Sequence, residues 1–263
     1  GDHLDLHSSP TRRSSDLDCG EAERFQLTAA ALAALDPAPV GVIVASPANP
    51  TGTIIARDEL AAIAQVCRER SIALVSDEIY HGISYTDTAA SLLEFAPDAL
   101  VVNSFSKYFS MAGWRLGWLV VPPQLVEPAR ARMSNLFLTP PSLAQHAGLA
   151  AFDAREELEG HVAVYARNRA IMLDRLPRMG LNRIAPPDGA FYIYADVGHL
   201  TQDSLGFCRR LLEDTGVATA PGIDFDPVAG GRFVRFSFAV STAEVTEALD
   251  RLEKWLTSGR CSG

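Results

Sequence analysis

The sequence lacks the long apolar segments and the clustered cationic residues that would place it in a membrane or on a nucleic acid. Every apolar stretch in its 263 residues is interrupted by proline, glycine or charge, well short of the roughly 20 residues that a membrane-spanning helix needs. Asp and Glu number 32 against 23 Lys and Arg, giving a formal net charge of -9, and no basic run follows the first fifteen residues. We therefore expect neither a membrane nor a nucleic-acid partner.

Paired cysteines, clustered histidines and a hydrophobic leader are also missing. Cys19, Cys67, Cys208 and Cys261 are far apart and show no spacing typical of zinc or of a redox dithiol. The six histidines are equally scattered, so we expect no metal site. Cysteines without paired spacing and the lack of an apolar signal segment predict a cytoplasmic protein.

The sequence contains a regular alternation of strand and helix patterns in its first half. In the second half the pattern becomes short strands mixed with helices. We expect residues 1–18, which are polar and Ser-rich, to be a disordered tail or sequence foreign to the natural protein. Residues 19–150 predict a large α/β domain and residues 151–263 a smaller α+β domain. The large domain is expected to contain apolar strands at residues 40–45, 72–75, 99–104 and 116–121, with helices at residues 58–70 and 90–95.

Polar side chains follow three of these predicted strands. Asn49, Asp77 and Lys107 each come just after a strand's carboxyl end. The alternation of strands and helices implies parallel strands, so these three residues are expected to meet at one edge of the sheet, where open α/β sheets bind ligands. A lysine at that edge can lose its charge by desolvation and attack a carbonyl group.

The segments around these residues form four motifs in a fixed order. They are SPANPTG at residues 46–52, DEIY at 77–80, SFSK at 104–107 and GWRLG at 113–117. Together they resemble the class I/II aminotransferases, which are pyridoxal-phosphate enzymes of fold type I. VRFSFA at residues 234–239 resembles the family's late carboxylate-binding motif, and GAFY at 189–192 resembles a segment near the substrate entrance.

The resemblance implies a particular fold and reaction. The fold would be a mostly parallel sheet with flanking helices, incomplete in this chain, joined to a smaller C-terminal α+β domain. The reaction would move an amino group between an α-amino acid and a 2-oxo acid with pyridoxal 5'-phosphate as cofactor. A homodimer is expected from the resemblance alone.

The catalytic roles follow from the matching positions. Lys107 would hold the cofactor as a Schiff base and later shuttle a proton. Asp77 would pair with the cofactor's pyridine nitrogen, while Tyr80 and Asn49 would donate to its phenolic oxygen.

The remaining roles concern phosphate and carboxylate groups. Ser104, Ser106 and Arg115 would hold the cofactor phosphate, Arg115 through its forked donors. Arg235 would bind the substrate's α-carboxylate in a bidentate pair, assisted by Asn49.

The family's chains usually begin well before the point that matches Cys19, so we expect this sequence to correspond to the C-terminal two thirds of such an enzyme. Other interpretations stay open: a β-lyase or an aminocyclopropane-carboxylate-type synthase on the same fold, or a non-catalytic fragment. The effector-sensing half of a transcription regulator would need a preceding basic helix-turn-helix, which the sequence does not contain.

Overall fold

The computed structural model describes Leu17 and residues 19–258, so the predicted tail at residues 1–18 lies outside the described residues except for Leu17. The helices are α1 (Ala29–Ala33), α2 (Arg57–Glu69), α3 (Val126–Phe137), α4 (Ser142–Ala151), α5 (Arg155–Arg178), α6 (Ser204–Thr215) and α7 (Thr242–Thr257). The strands are β1 (Gly41–Ala45), β2 (Ala73–Asp77), β3 (Leu100–Ser104), β4 (Gly117–Val120), β5 (Tyr192–Asp196), β6 (Ala220–Pro221) and β7 (Phe233–Ser237).

The described strands form two sheets. The first has the order β1-β2-β3-β4 and the second the order β5-β7-β6. The division into domains at residue 150 stays a prediction. No described helix has both the length and the apolar character needed to cross a membrane.

Parallel pairing in the first sheet aligns the carboxyl ends of its strands. Ala45 pairs with Asp77, and Asp77 pairs with Val102, so β1 and β2 end at one level and β3 continues past it to Ser104. The loops that carry Asn49, Tyr80 and Lys107 therefore leave the sheet at the same edge, which confirms the expected arrangement.

Two local predictions were wrong. β4 is antiparallel to β3, with Ser104 opposite Gly117, because the connection between them contains no crossover helix and the chain simply reverses. Residues 90–95 form only one 3-10 turn, Leu92–Glu94. The Ser91 side chain caps this turn by accepting from the backbone N–H of Leu93, and the neighbouring proline at residue 97 favours an early end.

The two faces of the first sheet differ in how they are covered. On one face α2 packs its apolar side, including Leu60 and Ile63, against Val44, Leu74 and Val101. Side chains alternate along a strand, so the intervening residues point to the other face. There Ile43 is 75% exposed, and Leu119 and Val102 are also exposed. This face, defined by Ile43, Val102 and Leu119, is the open face of the sheet.

The second sheet packs one face into the core of the C-terminal half. Ile193, Val234 and Phe236 contact buried residues from α5, α6 and α7 in one cluster. The opposite face carries Tyr192 and Arg235, because these residues alternate with the core residues along β5 and β7. That alternation directs Arg235 away from the core.

The open face predicts self-association, because exposed apolar side chains on an edge strand favour intermolecular pairing. We expect Ile43→Thr, which keeps the β-branched shape, to reduce the light scattering of the purified chain at a given concentration. Val228→Thr is the matched control, since Val228 is 94% exposed but lies in a turn. Equal scattering from both variants would contradict a role for the open face.

Candidate active site

Lys107 lies in a short segment that follows β3 and is held by aromatic packing. The buried ring of Phe105 contacts Phe109 (4.8 Å between centroids), Trp118 (5.2 Å) and Phe152 (5.5 Å). α4 approaches this cluster closely, since a Cβ at Gly148 would lie 2.6 Å from a Leu116 methyl. The packing fixes the backbone on either side of Lys107 at the sheet edge.

The turn after β2 is fixed by hydrogen bonds from its own polar residues. Asp77 Oδ1 accepts from the backbone N–H of Ile79 (3.1 Å), which orients the carboxylate. The buried Glu78 accepts from the backbone N–H of Leu92 (2.8 Å). His81 Nε2 lies 3.1 Å from the carbonyl oxygen of Ser46. These contacts tie the turn to the loop after β1 and hold Asp77 and Tyr80 in place.

The loop after β1 is closed by backbone hydrogen bonds. Gly52 donates to the carbonyl of Ala48 (2.7 Å) and accepts from the N–H of Gly189 (2.8 Å). Gly52 has a φ of +76°, and a Cβ there would lie 2.9 Å from the Gly189 carbonyl. Glycine is therefore required at this position. The closed loop presents Asn49 toward the second sheet.

Lys107 has cations and aromatic rings as neighbours. Its Nζ lies 5.4 Å from the ring centroid of Tyr80 and 5.8 Å from that of Phe191. Burial lowers the pKa of Lys107 below its usual range, and the charges of Arg235 and Arg115 lower it further, against an opposing contribution from Asp77. The balance increases the neutral, nucleophilic fraction of the amine.

Arg235 joins the two sheets. Its Nη1 donates to Asn49 Oδ1 at 2.6 Å. Its guanidinium carbon lies 4.3 Å from the ring centroid of Tyr192 and 4.7 Å from that of Phe225, so the cation contacts two aromatic rings. The buried Nε has no hydrogen-bond partner among the described residues. A buried donor left without a partner costs about 1–3 kcal/mol, which a bound carboxylate would recover.

The contact with Arg235 also orients the Asn49 side chain. Arginine has only donors, so the amide oxygen of Asn49 must face it. The amide NH₂ group then points away from Arg235 and is the donating end of the side chain. The Asn49 amide can thus accept a hydrogen bond from Arg235 and donate one to a second group.

Ser104, Ser106 and Arg115 surround the start of the Lys107 segment. Ser104 Oγ accepts from the backbone N–H of Ser106 at 3.0 Å. Arg115 is exposed, has a φ of +52°, and donates from Nη1 to the carbonyl of Ala112 at 3.0 Å. The charge of Arg115 contributes to the lowered pKa of Lys107.

Tyr80 and two further aromatic residues complete the site. Burial raises the pKa of Tyr80 above its usual range, so its hydroxyl stays protonated, and this hydroxyl lies 2.8 Å from that of Tyr192. Phe225 was missed by the sequence analysis, because it follows a single 3-10 turn with no periodic pattern. The motif at residues 189–192 placed Tyr192 near the substrate entrance, but it indicated no role for the Tyr192 hydroxyl.

Together these residues place an amine with a lowered pKa, a carboxylate and an arginine near one sheet edge. The described residues contain no group of three or more His, Cys, Asp or Glu arranged to hold a metal ion. The arrangement suits attack on a carbonyl carbon by Lys107, with an acidic ligand held by Arg235.

Comparison with known proteins identifies the family. The family model for aminotransferase class I and II matches residues 13–252. A valine–pyruvate aminotransferase from Mycobacterium tuberculosis is 51% identical over 247 residues, covering 92% of this chain and 64% of the relative. An aspartate aminotransferase from Thermotoga maritima is 36% identical over 220 residues, covering 82% of this chain and 56% of the relative.

Solved structures agree with this result. The crystal structure of an aminotransferase from M. tuberculosis superposes with a TM-score of 0.88 at 52% identity, covering 91% of this chain and 63% of that one. Thermus thermophilus aspartate aminotransferase with maleate gives a TM-score of 0.80 at 33% identity, covering 89% and 62%.

The chain belongs to the class I and II aminotransferase family. Its fold is fold type I, as the sequence motifs predicted. It spans a little under two thirds of the length of the first relatives that it matches.

The electrostatics of the site predict opposite effects from two substitutions. We expect Arg235→Gln to raise the pKa of Lys107, because a cation that disfavours the ammonium form is removed. Asp77→Asn should lower it, because an anion that favours the ammonium form is removed. The measurement is competitive acetylation across a range of pH, followed by peptide mass spectrometry.

The chain provides its own reference for this measurement. The sequence contains two lysines, Lys107 and Lys254, and Lys254 is exposed on α7. Arg178→Gln, at the exposed end of α5, is the control for loss of a remote charge. Shifts of the same sign in Arg235→Gln and Asp77→Asn would contradict the assigned electrostatics.

Proposed function

We propose that the protein is a pyridoxal-phosphate-dependent aminotransferase and that Lys107 is its reactive amine. The observation that carries the proposal is that one site holds both Lys107, whose pKa is lowered, and Arg235, whose buried Nε has no hydrogen-bond partner among the described residues. An α-amino acid has a carboxylate for Arg235 and an amino group within reach of the Lys107 side of the site. The family membership supports the same conclusion.

The donor and acceptor groups at the sheet edge suit the cofactor. When bound, pyridoxal phosphate supplies an electrophilic aldehyde and a ring that accepts electrons from a substrate carbanion. Asp77 would hold the proton on the ring nitrogen with its carboxylate. Tyr80 and the NH₂ group of Asn49 would donate to the phenolic oxygen. Ser104, Ser106 and Arg115 would bind the phosphate.

The chain's own residues would then bind and move the substrate's groups. Arg235 would hold the carboxylate in a fork formed by Nε and Nη2, since Nη1 is taken by Asn49. Neutral Lys107 would accept the proton from the substrate Cα through Nζ and return it to a neighbouring carbon. Overall the amino acid becomes a 2-oxo acid and a second 2-oxo acid becomes an amino acid, so the exchange needs no external oxidant.

The substrates are proposed from the relative that is 51% identical. Its name specifies valine and pyruvate, and we propose this pair as the substrates for this protein. The homodimer and the cytoplasmic location expected from the sequence stay predictions.

A β-lyase with the same cofactor is the competing activity, and the reaction products separate the two. Transamination of valine with pyruvate would yield alanine and a 2-oxo acid without ammonia. A β-lyase would release ammonia and pyruvate from an amino acid that carries a leaving group on its β-carbon. Ammonia release without any amino acid product would contradict the proposal.

The cofactor attachment itself predicts a covalent label. After incubation with pyridoxal phosphate and reduction with borohydride, we expect peptide mass spectrometry to find the label on Lys107 in large excess over Lys254. The reason is that Lys107 is the more nucleophilic amine and has phosphate-binding neighbours. Lys107→Ala should lose the near-visible absorbance band, whereas Lys254→Ala should keep it. Equal labelling of both lysines in the unsubstituted chain would contradict the proposed function.

A further inference from the structure

Tyr192 has a position in the site that its role in packing does not explain. Its hydroxyl lies 2.8 Å from the Tyr80 hydroxyl, and the two tyrosines are 5% and 3% exposed. Two buried hydroxyls at this distance share one hydrogen bond, and either can be its donor. The hydroxyl that accepts this hydrogen bond keeps its own proton for a different acceptor, so the direction of the bond determines which tyrosine can donate elsewhere.

The ring of Tyr192 is held on several sides. The guanidinium of Arg235 lies 4.3 Å from its centroid, the ring of Phe191 lies at 4.8 Å, and the ring of Tyr80 lies at 5.7 Å in an edge-on contact. Its backbone belongs to β5, opposite Ser237 of β7. With ring and backbone both fixed, the hydroxyl is held in a defined place against Tyr80.

The cations near the two rings favour Tyr192 as the donor. A cation against a phenol ring withdraws charge from it and so strengthens its hydroxyl as a donor. Arg235 is always charged and lies close to Tyr192. The cation over Tyr80 is Lys107, which is farther from the ring (5.4 Å) and has a lowered pKa. Tyr80 then accepts from Tyr192 and keeps its own proton for another acceptor.

We propose that Tyr192 is a positioning residue, which donates its hydroxyl proton to Tyr80 and thereby turns the Tyr80 proton toward the Lys107 side of the site. The inference rests on the proposed function, because the acceptor that Tyr80 would meet there is the phenolic oxygen of the cofactor. Without the Tyr192 hydroxyl, the Tyr80 hydroxyl can rotate and donates to the phenolic oxygen in only a fraction of its orientations.

The test is a pH titration of the absorbance band that the chain forms with pyridoxal phosphate. A donor to the phenolic oxygen favours its negatively charged form, so losing the donor raises the pH midpoint of the band. We expect Tyr80→Phe to raise the midpoint by about 1–2 pH units, the value of a charge-assisted hydrogen bond. Tyr192→Phe should raise it by about 0.5–1 unit, because only the orientation of the donor is lost.

A double substitution separates positioning from general destabilisation. In the Tyr80→Phe background, Tyr192→Phe should give no further shift, since the group that it orients is already gone. Tyr194→Phe is the matched control, because Tyr194 is equally buried on the same face of β5 and its ring stacks on Phe233. We expect it to leave the midpoint unchanged.

The possible failures are distinguishable. If borohydride reduction labels Lys107 no more than Lys254, the proposed function fails and the positioning role fails with it. If Lys107 is labelled selectively but Tyr192→Phe titrates like the unsubstituted chain, only the positioning role is overturned. A Tyr192→Phe shift that persists in the Tyr80→Phe background would also overturn it.

Discussion

The register of three parallel strands is the constraint on which the site depends. Because Ala45, Asp77 and Val102 align across β1, β2 and β3, the three strands have their carboxyl ends at one edge of the sheet. Side chains alternate between the faces of a sheet, so a slip of one residue in β2 would turn Asp77 to the opposite face. Backbone pairing at residues with no chemical role thus determines whether Asp77 can face the Lys107 segment.

The second sheet contributes through the same alternation. Val234 and Phe236 enter the core of the C-terminal half, and Arg235 between them therefore points outward. There it reaches Asn49, which is 186 residues away in sequence. The hydrogen bond between them joins the second sheet to the loop after β1, so the core packing of one half sets where Arg235 meets the other.

Much of this arrangement could be predicted from local sequence. The apolar runs before Asn49, Asp77 and Lys107 were enough to predict parallel strands that end at one edge. The direction of β4 was not predictable in this way, because a short apolar run looks the same in either orientation. The ring of Phe225 and the hydroxyl of Tyr192 contact site residues that are distant in sequence. No sequence period marks these contacts, so they could not be predicted before the structure was known.

The orientation of Arg235 has a stereochemical consequence. Nη1 of Arg235 is held by Asn49, and its guanidinium carbon lies 4.3 Å from the ring centroid of Tyr192 and 4.7 Å from that of Phe225. Under the proposed function, a carboxylate would therefore bind along the edge that carries Nε and Nη2. An amino acid bound there with its amino group toward Lys107 has two of its four substituents fixed. Under the proposed function, Lys107 would have to meet the α-hydrogen, and this contact is the third fixed point that distinguishes mirror images. The mirror-image form, held by the same carboxylate and amino group, would present its side chain to Lys107 instead of the α-hydrogen.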